Sequence, residues 1–196
     1  MRYDGEHKQR TREKVLKAAA RAIRADGPHR VGVAGVMAKA GLTHGGFYAH
    51  FDSKDDLLAA TIGHMFEDGR ARLAHETQDR EPAAALSSYV DFYLSARHRD
   101  ASTGCPIPAI ATDTPRLARA ARQRFAAGVA HLTDALAEKL ARMGNAQPKE
   151  AASSMLAELV GAVSLARAEP DPARSDAILE TSRRAVKLRI GLVIDK

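Results

Sequence analysis

Residues Val36 to Lys54 read VMAKAGLTHGGFYAHFDSK. The stretch divides into a short apolar helix, a turn at Gly41, a second short helix and the capped start of a third. Val33, Val36 and Met37 anchor the first helix, Gly41 suits the left-handed position past its end, and Leu42 fills the gap between the two helices. The second helix lacks a full apolar face. Phe47 and Phe51 stand four residues apart and are expected to pack inward, with Tyr48 and His50 flanking them. Thr43 is expected to cap this helix and to offer its hydroxyl and the first backbone amides to an anion. Gly45 and Gly46 each cost ~1 kcal/mol against Ala in a helix. Two in succession suit close approach of the backbone to a bulky partner, or else a frayed loop that tolerates glycine.

The charge of the chain belongs to the same region. Residues 1–50 contain ten Lys/Arg and four Asp/Glu, whereas residues 51–196 contain twenty of each. The formal charge of +6 therefore sits in the first quarter. A basic head on a neutral body suits a polyanion partner, and a solvated basic face is the plainer alternative. Two helices joined by a tight glycine turn form the DNA-binding helix-turn-helix, whose second helix lies in the major groove.

Outward from this stretch the pattern stays helical. Apolar residues at helical spacing predict helices over 7–26, 33–40, 43–49, 53–76, 82–99, 115–143, 148–168 and from Asp171-Pro172 to about Val193. A loop is expected over 100–108, around Gly104-Cys105-Pro106. Ser53 with Asp56 three residues on resembles a capping box with Asp in place of Glu. The expected fold is all-α with about nine helices. It comprises an N-terminal three-helix DNA-binding domain with the helix-turn-helix, over 1–52, and a C-terminal helical ligand-binding and dimerisation domain, over 53–196. The single cysteine precludes an internal disulfide, and no apolar run approaches the ~18–20 residues needed to cross a bilayer. A cytoplasmic protein without membrane contact is expected.

Ala40-Gly41-Leu42-Thr43, Gly45, Phe47-Tyr48, His50-Phe51, Ser53-Lys54 and Leu57-Leu58, preceded by a basic helix, resemble the TetR family of bacterial transcriptional regulators over residues 8–60. The resemblance implies that Thr43, Tyr48, His50 and Lys54 contact phosphates of double-stranded operator DNA. It places His44 and Gly45 nearest the base edges, with Gly46 beside them. Family members usually carry a Thr opening the first motif helix. Gly32-Val33-Ala34 stands there instead, and Arg30 is the candidate substitute. With so little side-chain readout, phosphate contacts and groove shape are expected to dominate, giving a strongly salt-dependent affinity.

The resemblance also implies a homodimer through the helices at about 148–168 and 173–193, and a cavity in the middle helices for a small-molecule effector. Candidate lining residues are Met65, Tyr89, Phe92, Tyr93, Cys105, Ile110, Phe125 and Leu132. Cys105 follows Gly104 near a helix start, where a thiolate is favoured, so an electrophilic inducer is one reading and a structural cysteine the other. The function implied is a ligand-responsive repressor on a palindromic operator. The alternatives are an activator, a regulator with no small ligand and, more remotely, a small helical enzyme. The eight histidines are scattered without metal-ligand spacing, no nucleophile motif surrounds Cys105, and no cofactor is expected.

Overall fold

The structure is a computed structural model that describes residues 2–99 and 105–192. Helix α1 spans Arg2–Asp26 and buries Val15, Ala19, Ala20, Ala22 and Ile23. It starts five residues before the expected position, and Gly5 and Glu6 of that extension, like His7 to Arg10 after it, are solvent-exposed. A 3-10 turn at Pro28–Arg30 leads to α2, Val33–Lys39. Gly41 adopts φ 73°, so its amide reaches Ala38 O at 3.0 Å and the Leu42 amide reaches Met37 O at 2.9 Å. These two bonds satisfy the last carbonyls of α2 in a Schellman arrangement.

The expected second motif helix is a 3-10 segment, His44–Ala49, and not an α-helix. Gly45 and Gly46 weaken the α-helical preference of this short segment, and 3-10 winding is common in short pieces. Phe47 and Phe51 nonetheless pin the segment: both are buried and their rings stack 5.6 Å apart. Helix α3, Lys54–Thr77, opens with a reciprocal cap. Ser53 Oγ accepts from the Asp56 amide at 3.1 Å, and Asp56 Oδ2 accepts from the Asp52 amide at 3.2 Å.

Helix α3 packs on α1 and then continues into the body. There it meets α4, Pro82–Tyr93, and α7, Arg119–Arg142. The expected helix over 82–99 is broken at Leu94-Ser95. The Ser95 hydroxyl donates to Phe92 O at 2.7 Å and accepts from the His98 amide at 3.2 Å, which starts a separate α5, Ala96–Arg99. Part of the expected loop is helix as well. Cys105 sits just before α6, Pro106–Ile110, whose first turn tolerates proline because its amides have no intrahelical partner. A 3-10 turn at Thr114–Arg116 precedes α7, which begins four residues after the expected start.

The close α3–α7 contact depends on Gly128. A Cβ added there falls 2.2 Å from Phe66 Cγ, so the Phe66 ring fills the space that a side chain would need. Helix α8, Pro148–Ala168, and α9, Pro172–Arg189, complete the body. Asp171 caps α9 by accepting from the Ala173 and Arg174 amides. The expected end near Val193 lies outside the described residues. Helix α8 reaches a mean hydropathy of 1.2, enough by length and composition to cross a membrane. Its apolar residues are accounted for by a buried face, including Met155, Leu159 and Val163, and an outer face of small residues with Leu165. Among the described residues no strand occurs.

Candidate functional site

Two regions gather the chemistry. The first is the outer surface of the 3-10 segment. Arg12 of α1 donates to the His50 carbonyl, and its guanidinium lies 4.1 Å from the centre of the Phe51 ring. A cation–π contact and a charge-assisted hydrogen bond thus fasten the segment to α1. Around this clamp Arg30, Thr43, His44, Gly45 and Lys54 are exposed and Gly46 is half-buried. Tyr48 is 69% exposed, an unusual position for an aromatic ring whose neighbour Phe47 is fully covered. Lys54 Nζ donates to His29 O at 3.4 Å, which sets it beside Arg30.

Thr43 holds the capping position with extended backbone, yet its hydroxyl makes no capping bond, contrary to expectation. In a 3-10 segment the amides run to carbonyls three residues back, as Gly46 N does to Thr43 O at 3.1 Å, and the geometry for a side-chain cap is lost. His50 is half-buried. Desolvation, then Lys8 and Arg12, lower its pKa, so it stands neutral at neutral pH. A Cβ at Gly45 would meet nothing within 4 Å, and one at Gly46 would make ordinary contacts with Met37 and Thr43. The packing of this chain therefore requires glycine at neither position.

The second region is a cavity of about 620 Å³ among α1, α3, α4, α5, the start of α6 and α7. Six of the eight expected residues line it: Met65, Tyr89, Phe92, Tyr93, Cys105 and Leu132. Ile110 and Phe125 do not. Ile110 is fully buried at the end of α6, and Phe125 packs edge-on behind Phe66, at 5.7 Å, so that Phe66 takes the place facing the cavity. The cations of the wall were not anticipated. The spacing of Lys17, Arg21 and Arg24, four and then three apart on α1, was the available signal.

Cys105 does not carry the thiolate expected of a helix start. Burial pushes its pKa up, and this outweighs the lowering by Tyr93, the Ile107 amide and the nearby arginines. Its backbone amide donates to His98 Nε2 at 3.1 Å. That bond leaves the proton of the neutral ring on Nδ1. Burial first, then Arg167, Arg72 and Arg24, lower the His98 pKa to about 4. His98 is packed against the rings of Phe92 and Tyr93, at 4.7 and 4.5 Å.

The sequence matches two family descriptions. Residues 15–61 match the bacterial regulatory proteins of the tetR family, and residues 82–181 match the C-terminal domain of LmrA/YxaF-like transcriptional regulators. The chain is 31% identical over 101 residues to a probable HTH-type transcriptional regulator, ArpR, of Pseudomonas putida, covering 48% of each protein. It is equally similar, over the same shares, to the HTH-type transcriptional regulator TtgR of the same species. The match thus spans about half the length of these relatives. Among solved structures, a TetR transcriptional regulator from Chloroflexus aurantiacus aligns with a TM-score of 0.80 at 25% identity, over 95% of this chain and 96% of that one. The reduced form of Escherichia coli NemR aligns with a TM-score of 0.78 over 91% and 95%, at 20% identity, a likeness of fold. From the motif at residues 36–54, the fold built on it and a C-terminal match covering half of the sequence, the chain belongs to the TetR family of bacterial transcriptional regulators.

Proposed function

We propose that this protein is a ligand-responsive, DNA-binding repressor. It binds a palindromic operator in the cytoplasm as a homodimer and is released by a small molecule. The observation that carries this reading is the Gly45-Gly46 surface. The segment that carries it is tied to α1 by Arg12 at His50, and the surface is flanked by an exposed tyrosine and free of side chains that the fold itself would accommodate. A duplex backbone pressed against that surface explains the glycines.

In this reading Arg30, Thr43, Tyr48, His50 and Lys54 meet phosphates, and His44 and Gly45 face base edges with Gly46 next to the groove wall. His50 contributes its ring as a hydrogen-bonding group. The head covers residues 1–52 and the body residues 53–196. Dimerisation through α8 and α9 is supported by Leu165 and Leu188, which are 63% and 73% exposed on those two helices. A two-fold pair would set the recognition segments about 34–36 Å apart. Cys105, buried and protonated, favours a reversibly bound effector over an electrophile.

Gel-shift titration of the protein on its own upstream region, followed by footprinting, tests the reading. The expected result is a palindromic footprint. The logarithm of the affinity should fall linearly with the logarithm of the salt concentration, at a slope of roughly −0.9 for each phosphate neutralised. A flat salt dependence, or no shift at low salt, would reject it.

A further inference from the structure

The cavity wall is far more basic than the body that contains it. Lys17, Arg21 and Arg24 from α1 meet Arg70 and Arg72 from α3 and Arg97 from α5, with Asp68 as the carboxylate among the described lining residues. Residues 51–196 carry equal numbers of acids and bases, yet three of their arginines gather on this wall, and folding adds three more cations by bringing α1 of the basic head against the body. Most of these cations sit at the rim: Lys17, Arg21, Arg70 and Arg97 are exposed. Below them the lining is apolar and aromatic, with Phe66, Tyr89, Phe92 and Tyr93 among its residues. Arg72 bridges the two levels, since its guanidinium lies 5.1 Å from the centre of the Phe92 ring and 3.7 Å from Glu76. Like charges held on two facing helices repel, and a partly enclosed site weakens the screening by water. Burial lowers the pKa of Arg24, while Asp68 and then Cys105 oppose that and Arg167 adds to it, so desolvation is what makes this cation costly here.

We infer that the cavity takes an amphipathic anion, a carboxylate or sulfonate on an aromatic body. The anionic group sits between the α1 cations and those of α3 and α5, and the rings lie on the aromatic floor. The volume suits one ligand of drug size. The inference rests on the cavity being the effector site and adds the chemistry of the effector. It also gives the route to DNA. Arg12, which clamps the recognition segment, precedes Lys17 by about 7.5 Å of helix rise on the same α1. An anion drawing α1 toward α3 therefore acts on the helix that holds the head, and the coupling must be reciprocal.

Two fluorescent dyes isolate the charge: 1-anilinonaphthalene-8-sulfonate and N-phenyl-1-naphthylamine share one ring body and differ by the sulfonate. Titrated into the full chain at low salt, the sulfonate dye should bind about tenfold more tightly, an advantage that shrinks as salt rises. The double variant K17Q/R21Q changes exposed groups. It should weaken the sulfonate dye about fivefold and leave the neutral dye unchanged, while R142Q/K149Q, away from the cavity, should change neither. Equal affinities for the two dyes, parallel losses for both in K17Q/R21Q, or no binding of either would overturn the inference. The gel shift separates this outcome from the function proposed above. DNA binding without a preference for the anion leaves the regulator standing and removes the ligand class. A preference for the anion without DNA binding does the reverse.

Discussion

Gly45 in the recognition segment and Gly128 in α7 are both glycines in helical backbone, and they are there for opposite reasons. A Cβ at Gly128 would lie 2.2 Å from the Phe66 ring, whereas one at Gly45 would meet nothing. Gly128 is required by the fold. Gly45 is dispensable to the fold and makes sense when something outside the protein occupies the space. Histidines divide along the same line. His98 is enclosed by rings, and its burial together with three arginines takes its pKa down to about 4. His50 at the head is shifted in the same direction but remains half exposed beside Lys8 and Arg12. In the proposed reading, interior features of this protein act on stability and the corresponding surface features act on a partner.

The sharpest way to break that comparison is G128A. Overpacking against Phe66 should cost about 3 kcal/mol of folding stability in urea denaturation, and F66L in the same chain should recover part of it. A G128A protein as stable as the parent would mean that α3 and α7 separate freely, and the interior argument would fail. A loss of the same order is expected from pH. The folded pKa of His98 lies below its unfolded value, so the stability tied to the neutral ring is complete above about pH 6.5 and is lost as the pH falls towards 4. The window is worth about 3 kcal/mol, and H98Q should flatten it. The smallest effect on the fold belongs to G45A. Stability should stay level or rise by up to about 1 kcal/mol, while affinity for the operator falls by about tenfold. Equal binding by G45A and parent would remove the external reason for this glycine and reduce it to a tolerated one.

Punctuation that acts through neighbours in the chain was legible in the sequence. Gly41 ending α2, Ser53 and Asp56 closing on α3, Pro148 opening α8 and Asp171-Pro172 opening α9 all stand where their own backbone chemistry puts them. Other features were harder to read. Ser95 stands in a helical pattern, but its hydroxyl makes local bonds to Phe92 O and from the His98 amide, an alternative that a serine always offers, and the helix splits there. His44–Ala49 winds as a 3-10 segment whose Phe47 and Phe51 are held by the core and, at Phe51, by Arg12. Phe125 looked like a cavity residue and lies behind Phe66. Cys105 has the sequence context of an activated thiol and the burial of an inert one.

By itself the sequence determined that the chain is helical, where most helices start and stop, that its positive charge lies in the first quarter, and that residues 36–54 form the motif. All of these follow from interactions within a few residues or from counting. The tertiary structure decided which cations share a wall with which rings, which glycine has room, and which buried groups are held neutral. Those depend on distances between segments far apart in the chain, and local chemistry does not encode them.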